Sequence, residues 1–186
     1  MTHAHAEPMT TVPHPGSGAP AGAHQETAPT LFRAPAPADG GHMWTLARDS
    51  RVLDLNSSYS YLLWCRDFAA TSVIAEVAGE PAGFVTGYLR PDAPGTLMIW
   101  QVAVDSRFRG HGIAAAMLEH LAARTAADRL ETTITEDNAA SIRLFTAFAE
   151  AHAAPLTTSP LFVPEDYPDG HETEFLYEIG PLRSRA

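Results

Sequence analysis

The chain has 186 residues, a formal net charge of −10, a single cysteine and no lysine, so all twelve of its basic residues are arginine. The missing lysine excludes a Walker A phosphate loop, a Schiff-base nucleophile and a pyridoxal phosphate anchor, and the lone Cys65 excludes an intramolecular disulfide or a multi-cysteine zinc site. The acidic balance disfavours nucleic acid as a partner. A 45% hydrophobic composition, with no apolar run approaching the ~18 residues of a membrane span, fits one globular domain.

Residues 1–29 are rich in Pro, Gly, Ala, Thr and His without periodicity and read as a disordered tail. They hold no Arg and no apolar segment of signal-peptide type, so the expected compartment is the cytoplasm. The folded domain is expected over 30–182, with a short tail at 183–186. It opens with a strand at 31–33, a turn at Asp39-Gly40-Gly41, a helix over 42–50 and a loop at 53–57. Ser57 or Ser58 caps the next helix, 59–68, which is apolar nearly all round and therefore expected to be buried or to line a cleft. Strands follow at 72–78, 82–90 and 97–104, the first two close enough for a hairpin. A helix over 112–127 puts Ile113, Met117, Leu118 and Leu121 on one stripe. Then come a strand at 130–135, a helix capped by Asp137 or Asn138 and ending near 152, a strand at 154–158, a Pro-rich loop and a last strand at 172–179. The order describes a mixed α/β sheet with helices on both faces.

The segment with the clearest chemistry is Trp100 to Ala114, WQVAVDSRFRGHGIA. A strand enters a turn spelled Arg107, Phe108, Arg109, Gly110, His111, Gly112, and a helix begins at Ile113 and Ala114. Glycines let the backbone bend tightly, and the free N–H groups of the turn and first helical turn converge on one spot suited to an anion. Arg107 and Arg109 stand near enough to add charge-assisted bonds. A Rossmann turn would need a third glycine and an early βαβ position, and a kinase loop would need the missing lysine. A strand, bend and helix that cradle a pyrophosphate remain.

The R-x-x-G-x-G spelling after Val102-Ala103-Val104 resembles the acetyl-CoA site of the GNAT (GCN5-related) N-acetyltransferase family, and the element order matches over about residues 31–180. The resemblance implies a mostly antiparallel central sheet and acetyl-CoA as co-substrate, with no metal. It implies that Val102, Ala103 and Val104 pair with the pantetheine arm, the Val104 N–H serving the thioester oxygen. Gly110, His111, Gly112, Ile113 and Ala114 would then hold the pyrophosphate. Asn138 and Ser141, in the run from Asn138 to Phe145, match the family's second CoA-contacting motif. Many members carry Tyr at the position of Phe145, as the acid for the departing thiolate. Phe cannot donate a proton, so that role is vacant here.

Asp54 to Tyr59, the Trp100 strand and His171 to Glu174 resemble the subfamily that acetylates the γ-amine of L-2,4-diaminobutyrate, whose product is cyclised to ectoine, and which is dimeric. This implies a homodimer and a diaminobutyrate pocket lined by Asp54, Tyr59, Trp100, His171 and Glu174. A dication with one carboxylate needs acids for its ammonium groups, and Trp100 can stack on a cation. Glu174 or His171 would take the amine proton, with Glu76 and Glu178 as alternative bases. Another small amine, a protein N-terminus, or a CoA-binding module without catalysis stay open as alternatives.

Overall fold

The computed structural model describes residues 29–182. The expected tails, apart from residue 29, lie outside the described residues. The described residues form seven strands and four α-helices. In order these are β1 (Thr30–Arg33), α1 (Gly40–Ser50), α2 (Ser58–Asp67), β2 (Val73–Val77), β3 (Glu80–Arg90) and β4 (Ala93–Val104). They are followed by α3 (Ile113–Thr125), β5 (Arg129–Ile134), α4 (Ala139–Ala151), β6 (Leu156–Phe162) and β7 (Glu174–Ile179). The strands make one sheet in the order β1-β2-β3-β4-β5-β7-β6, and only β4 and β5 run parallel. This is the mixed, mostly antiparallel sheet the sequence led us to expect.

The central strands are apolar on both sides because both sides are covered. Val73, Ala75, Val85, Leu97, Ile99 and Leu130 face α3 and α4, where Met117, Leu118, Leu121, Phe145 and Phe148 complete the main core. Ile74, Phe84 and Ala103 point the other way, against Met43, Ala47, Tyr61 and Cys65 of α1 and α2. Each large side chain removed from water here contributes about 1.5–3 kcal/mol.

Several boundaries differ from the sequence reading. The helix read from 42 starts at Gly40. The strand read from 97 begins at Ala93, so β3 and β4 form a long hairpin through Pro91 and Asp92. The strand read as 154–158 runs on through Pro160 to Phe162. β6 is an edge strand, where a missing N–H costs no ladder bond. Helix α2 is not buried all round: Tyr61 and Cys65 are buried, while Tyr59 and Leu62 stay 64% and 44% exposed.

Two irregularities position the site. Thr86 opposes Gln101 and Gly87 opposes Ile99, so Trp100 is an extra residue bulged out of β4. The bulge reverses the strand's alternation: Ile99 packs toward α3 and α4, whereas Gln101 and Ala103 point toward α1 and α2. Beyond the pair Ile99–Thr132, β4 and β5 also part, β5 remaining with β7 and β4 with β3.

Candidate active site

The parting of β4 from β5 leaves one side of β4 without a partner strand. The Asp105 N–H donates to the Ala82 carbonyl across β3, and the Gln101 N–H donates to Thr86 Oγ1, also on β3. Peptide groups of an antiparallel strand alternate in direction, so those of Val102 and Val104 face the open side. There the Val104 carbonyl accepts from Arg109 Nε at 3.1 Å.

The turn after β4 has the expected form. Gly110 and Gly112 adopt φ of +80° and +74°, and Gly112 begins α3 in a left-handed conformation. The first amides of α3 at Ile113 and Ala114 thus end the helix beside the turn, where an N-terminal dipole favours an anion. His111 Nδ1 lies 3.0 Å from the Arg109 carbonyl and braces the turn. The two arginines differ. Arg107 is committed to Asp105 (3.0 Å) and Glu80 (3.1 Å), and these carboxylates raise its pKa further. Among the described residues Arg109 is held only through Nε, on the Val104 carbonyl.

Asn138 caps α4, its side-chain oxygen accepting from the Ser141 N–H at 3.1 Å. A cavity of about 440 Å³ lies between this turn, at Thr135, Asp137 and Asn138, and Arg51 and Val52 at the end of α1. Phe145 is 2% exposed and is part of the main core.

A second cluster joins the α1–α2 loop to the start of β7. His171 Nε2 lies 3.3 Å from Asp54 Oδ2, and Nδ1 lies 2.9 Å from the Glu172 carbonyl. Both partners only accept hydrogen bonds, so satisfying both requires both ring nitrogens protonated. The Glu172 carbonyl, then Asp54, accordingly hold the His171 pKa above its usual value. Glu174 begins β7 beside this pair, and its Oε2 is buried without a hydrogen-bond partner among the described residues. Tyr167 stacks on the His171 ring at 4.6 Å and 23°. Burial, then the charge of Glu174, raises its phenol pKa.

Trp100 is 51% exposed and lies 5.8 Å from Trp64 of α2. Gln101, next to it, donates from Nε2 to the Asp54 carbonyl at 2.8 Å. Asp54, His171, Glu174 and the Trp100 bulge are therefore brought together at the parted end of β4. Tyr59 is not drawn in: it stays 64% exposed on the first turn of α2, with no hydrogen bond or ring contact to this cluster among the described residues. Glu76 is bonded to Arg33 at 2.7 Å in a network with Asp39, on the β1 side of the sheet, so it is not an available base there. Glu178 lies deeper along β7, 3.5 Å from Thr157 Oγ1. Cys65 is buried, and burial pushes its thiol up to about 11, which removes it as a nucleophile.

Sequence reasoning missed Gln101, Tyr61 and Tyr167. Gln101 carried a signal, a lone amide in an otherwise apolar strand. Tyr167 carried none, since its place depends on how the β6–β7 connection folds back.

Comparison with known proteins agrees with this geometry. The profile of the Acetyltransferase (GNAT) family matches residues 41–149. L-2,4-diaminobutyric acid acetyltransferase of Streptomyces coelicolor is 60% identical over 154 residues, covering 80% of this chain and 91% of that protein. The enzyme of the same name from Virgibacillus pantothenticus is 41% identical over 153 residues, covering 80% and 96%. Among solved structures, diaminobutyrate acetyltransferase EctA from Paenibacillus lautus, in complex with its substrate L-2,4-diaminobutyric acid and coenzyme A, superposes with a TM-score of 0.79 at 41% identity. That match covers 86% of this chain and 99% of the other. With the family profile matched over more than half of the chain and relatives of up to 60% identity covering most of it, the chain belongs to the GNAT acetyltransferase family.

Proposed function

We propose that this protein transfers acetyl from acetyl-CoA to the γ-amine of L-2,4-diaminobutyrate by direct attack in a ternary complex. The observation that carries the reading is the half-buried Glu174 carboxylate, whose Oε2 is buried without a hydrogen-bond partner among the described residues, beside Asp54 and His171 at the open end of β4. A buried carboxylate left unsatisfied is costly, and an arriving ammonium group relieves that cost. The relatives named above support the choice of amine.

The steps follow from the residues. The free edge of Val102 and Val104 takes the pantetheine arm as an added strand, and the Val104 N–H polarises the thioester oxygen. The amides from Gly110 to Ala114 take the pyrophosphate. Arg109 is the cation best placed to assist, while Arg107 braces the turn through Asp105 and Glu80. Asn138, tied to the Ser141 N–H at the head of α4, lines the cavity beside Arg51, and the two residues complete the CoA side.

Asp54 attracts one ammonium, and Trp100, beside Trp64 of α2, walls the acceptor side. His171 satisfies both of its contacts only when both ring nitrogens carry protons, which favours Glu174 as the group that takes the proton from the γ-ammonium, directly or through water. The neutral amine attacks the thioester carbonyl, the tetrahedral intermediate expels CoA thiolate, and the second proton shed by the new amide nitrogen reaches the thiolate through water. A thiol pKa of about 8.5 makes it a fair leaving group without an acid at Phe145. The products are N-γ-acetyl-diaminobutyrate and CoA.

The protein is read as a cytoplasmic homodimer. Among the described residues no helix is long and apolar enough to cross a membrane. The aromatic group of Trp64, Phe68, Tyr88 and Trp100 is partly exposed, as a contact surface would be.

The test is acetyl-CoA-dependent thiol release with L-2,4-diaminobutyrate, ornithine, lysine and spermidine. A strong preference for diaminobutyrate, with the acetyl found on the γ-nitrogen, is expected. Preference for another amine would discard the acceptor assignment, and acetyl-CoA binding without turnover would discard the enzymatic one.

A further inference from the structure

The acceptor side depends on Asp54, yet the loop that carries it has no secondary structure of its own, and the Asp54 side chain is 86% exposed. What fixes the loop is a buried amide. Gln101 Nε2 donates to the Asp54 carbonyl at 2.8 Å, and Tyr61 Oη donates to Gln101 Oε1 at 3.0 Å. The Asp54 carbonyl can only accept, so the amide orientation is dictated rather than free. Asn56 of the same loop also lies close to the Tyr61 hydroxyl and lowers its pKa against the effect of burial. Gln101 and Tyr61 are both buried, so the chain of bonds is shielded from water, where it is stronger and costly to break.

We propose that Gln101 and Tyr61 are positioning residues that set which diamine length the site accepts, an inference that rests on the diaminobutyrate reading above. Gln101 directly precedes Val102, whose peptide faces the thioester edge. One peptide unit and one rigid side chain therefore span from the place where the acyl group is held to the loop that anchors the acceptor. Discrimination against a homologue one methylene longer requires that span to be fixed, because a single methylene is a small handle for selectivity. The bulge at Trp100 is what turns Gln101 toward the loop.

Two variants test this. Tyr61→Phe keeps the ring edge-on to Phe84, at 6.2 Å and 83°, and removes only the hydroxyl. Gln101→Glu keeps the shape and sets a second acceptor against the Asp54 carbonyl. For both, kcat and KM are measured with diaminobutyrate and ornithine, together with the KM for acetyl-CoA and the Tm. We expect the diaminobutyrate KM to rise about tenfold, the acetyl-CoA KM to stay within about twofold, and the preference over ornithine to shrink. An unchanged amine KM, or losses that fall equally on both amines and on acetyl-CoA, would overturn the inference. If the unaltered protein prefers an amine other than diaminobutyrate, the substrate reading fails. The positioning inference then stands or falls on the same KM split measured with the preferred amine.

Discussion

His171 Nε2 meets Asp54 Oδ2 at 3.3 Å across 117 residues of chain, joining the connection before β7 to the loop before α2. The contact is a strap across the open end of β4, and its strength depends on the imidazole's charge. The Glu172 carbonyl and Asp54 raise the His171 pKa, so the charged contact is complete below the ordinary histidine value and is lost as pH rises through the raised one. Imidazole NMR should show His171 titrating above about 6.5, and Asp54→Asn should bring its midpoint down. A midpoint insensitive to Asp54→Asn would mean that the strap does not form in solution.

Glu174→Gln removes the proposed base while keeping the shape of the side chain. We expect kcat to fall about 100-fold or more, with the acetyl-CoA KM little changed. The Tm should hold or rise, because an unpartnered buried carboxylate oxygen is replaced by a neutral amide. Retained kcat would move the base elsewhere, with Glu178 the next carboxylate along β7.

The sheet and its helices were legible because the central strands bury both faces and the helices carry apolar stripes. The tight turn after β4 was legible because Gly110 and Gly112 supply a backbone that other residues adopt only under strain. What stayed hidden follows from the bulge at Trp100. A strand with regular alternation would put Ile99 and Gln101 on one face, and only the inserted residue separates them. Arg107 was misleading in a different way. Spacing puts it at the phosphate turn, but spacing carries no information about Asp105 and Glu80, which hold its side chain. Pro160 hid the end of β6, since a proline usually marks a loop until the strand is known to lie at an edge.

Cys65 tests the absence of a covalent acetyl-enzyme. Its sulfur lies 3.4 Å from Met43 Sδ inside the smaller core, and burial holds the thiol protonated. Cys65→Ser should keep kcat within about twofold, while burying a hydroxyl costs about 1–3 kcal/mol of stability. Loss of turnover in a folded variant that still binds acetyl-CoA would restore a covalent route.

Gly112 separates backbone strain from crowding. A Cβ there meets nothing within 4 Å, but the φ of +74° is one that residues with a side chain rarely adopt. Gly112→Ala should cost about 1–2 kcal/mol, and Gly112→Asn less, because Asn tolerates the left-handed region. If the turn relaxes to relieve the strain, the amides no longer converge and the acetyl-CoA KM of the Ala variant rises about tenfold. Equal behaviour of Ala and Asn would show that conformation is not what selects glycine there.

Gly87 presents the opposite case, one of close approach without a left-handed φ. It opposes Ile99 beside the bulge, and a Cβ would lie 2.8 Å from the Met98 carbonyl oxygen and 3.2 Å from that of Thr71. Both are backbone atoms, so relief requires β4 itself to shift. Gly87→Ala should therefore destabilise the fold by about 1–3 kcal/mol. The same shift would alter the register that exposes Val102 and Val104, so the acetyl-CoA KM should rise together with the loss of stability, unlike the amine-side effects expected at Gln101. Calorimetry paired with initial-rate kinetics reads both quantities. A destabilised variant with unchanged acetyl-CoA KM would show that the bulge can form without close contact between β3 and β4, and that the open edge of β4 is set by its parting from β5 alone.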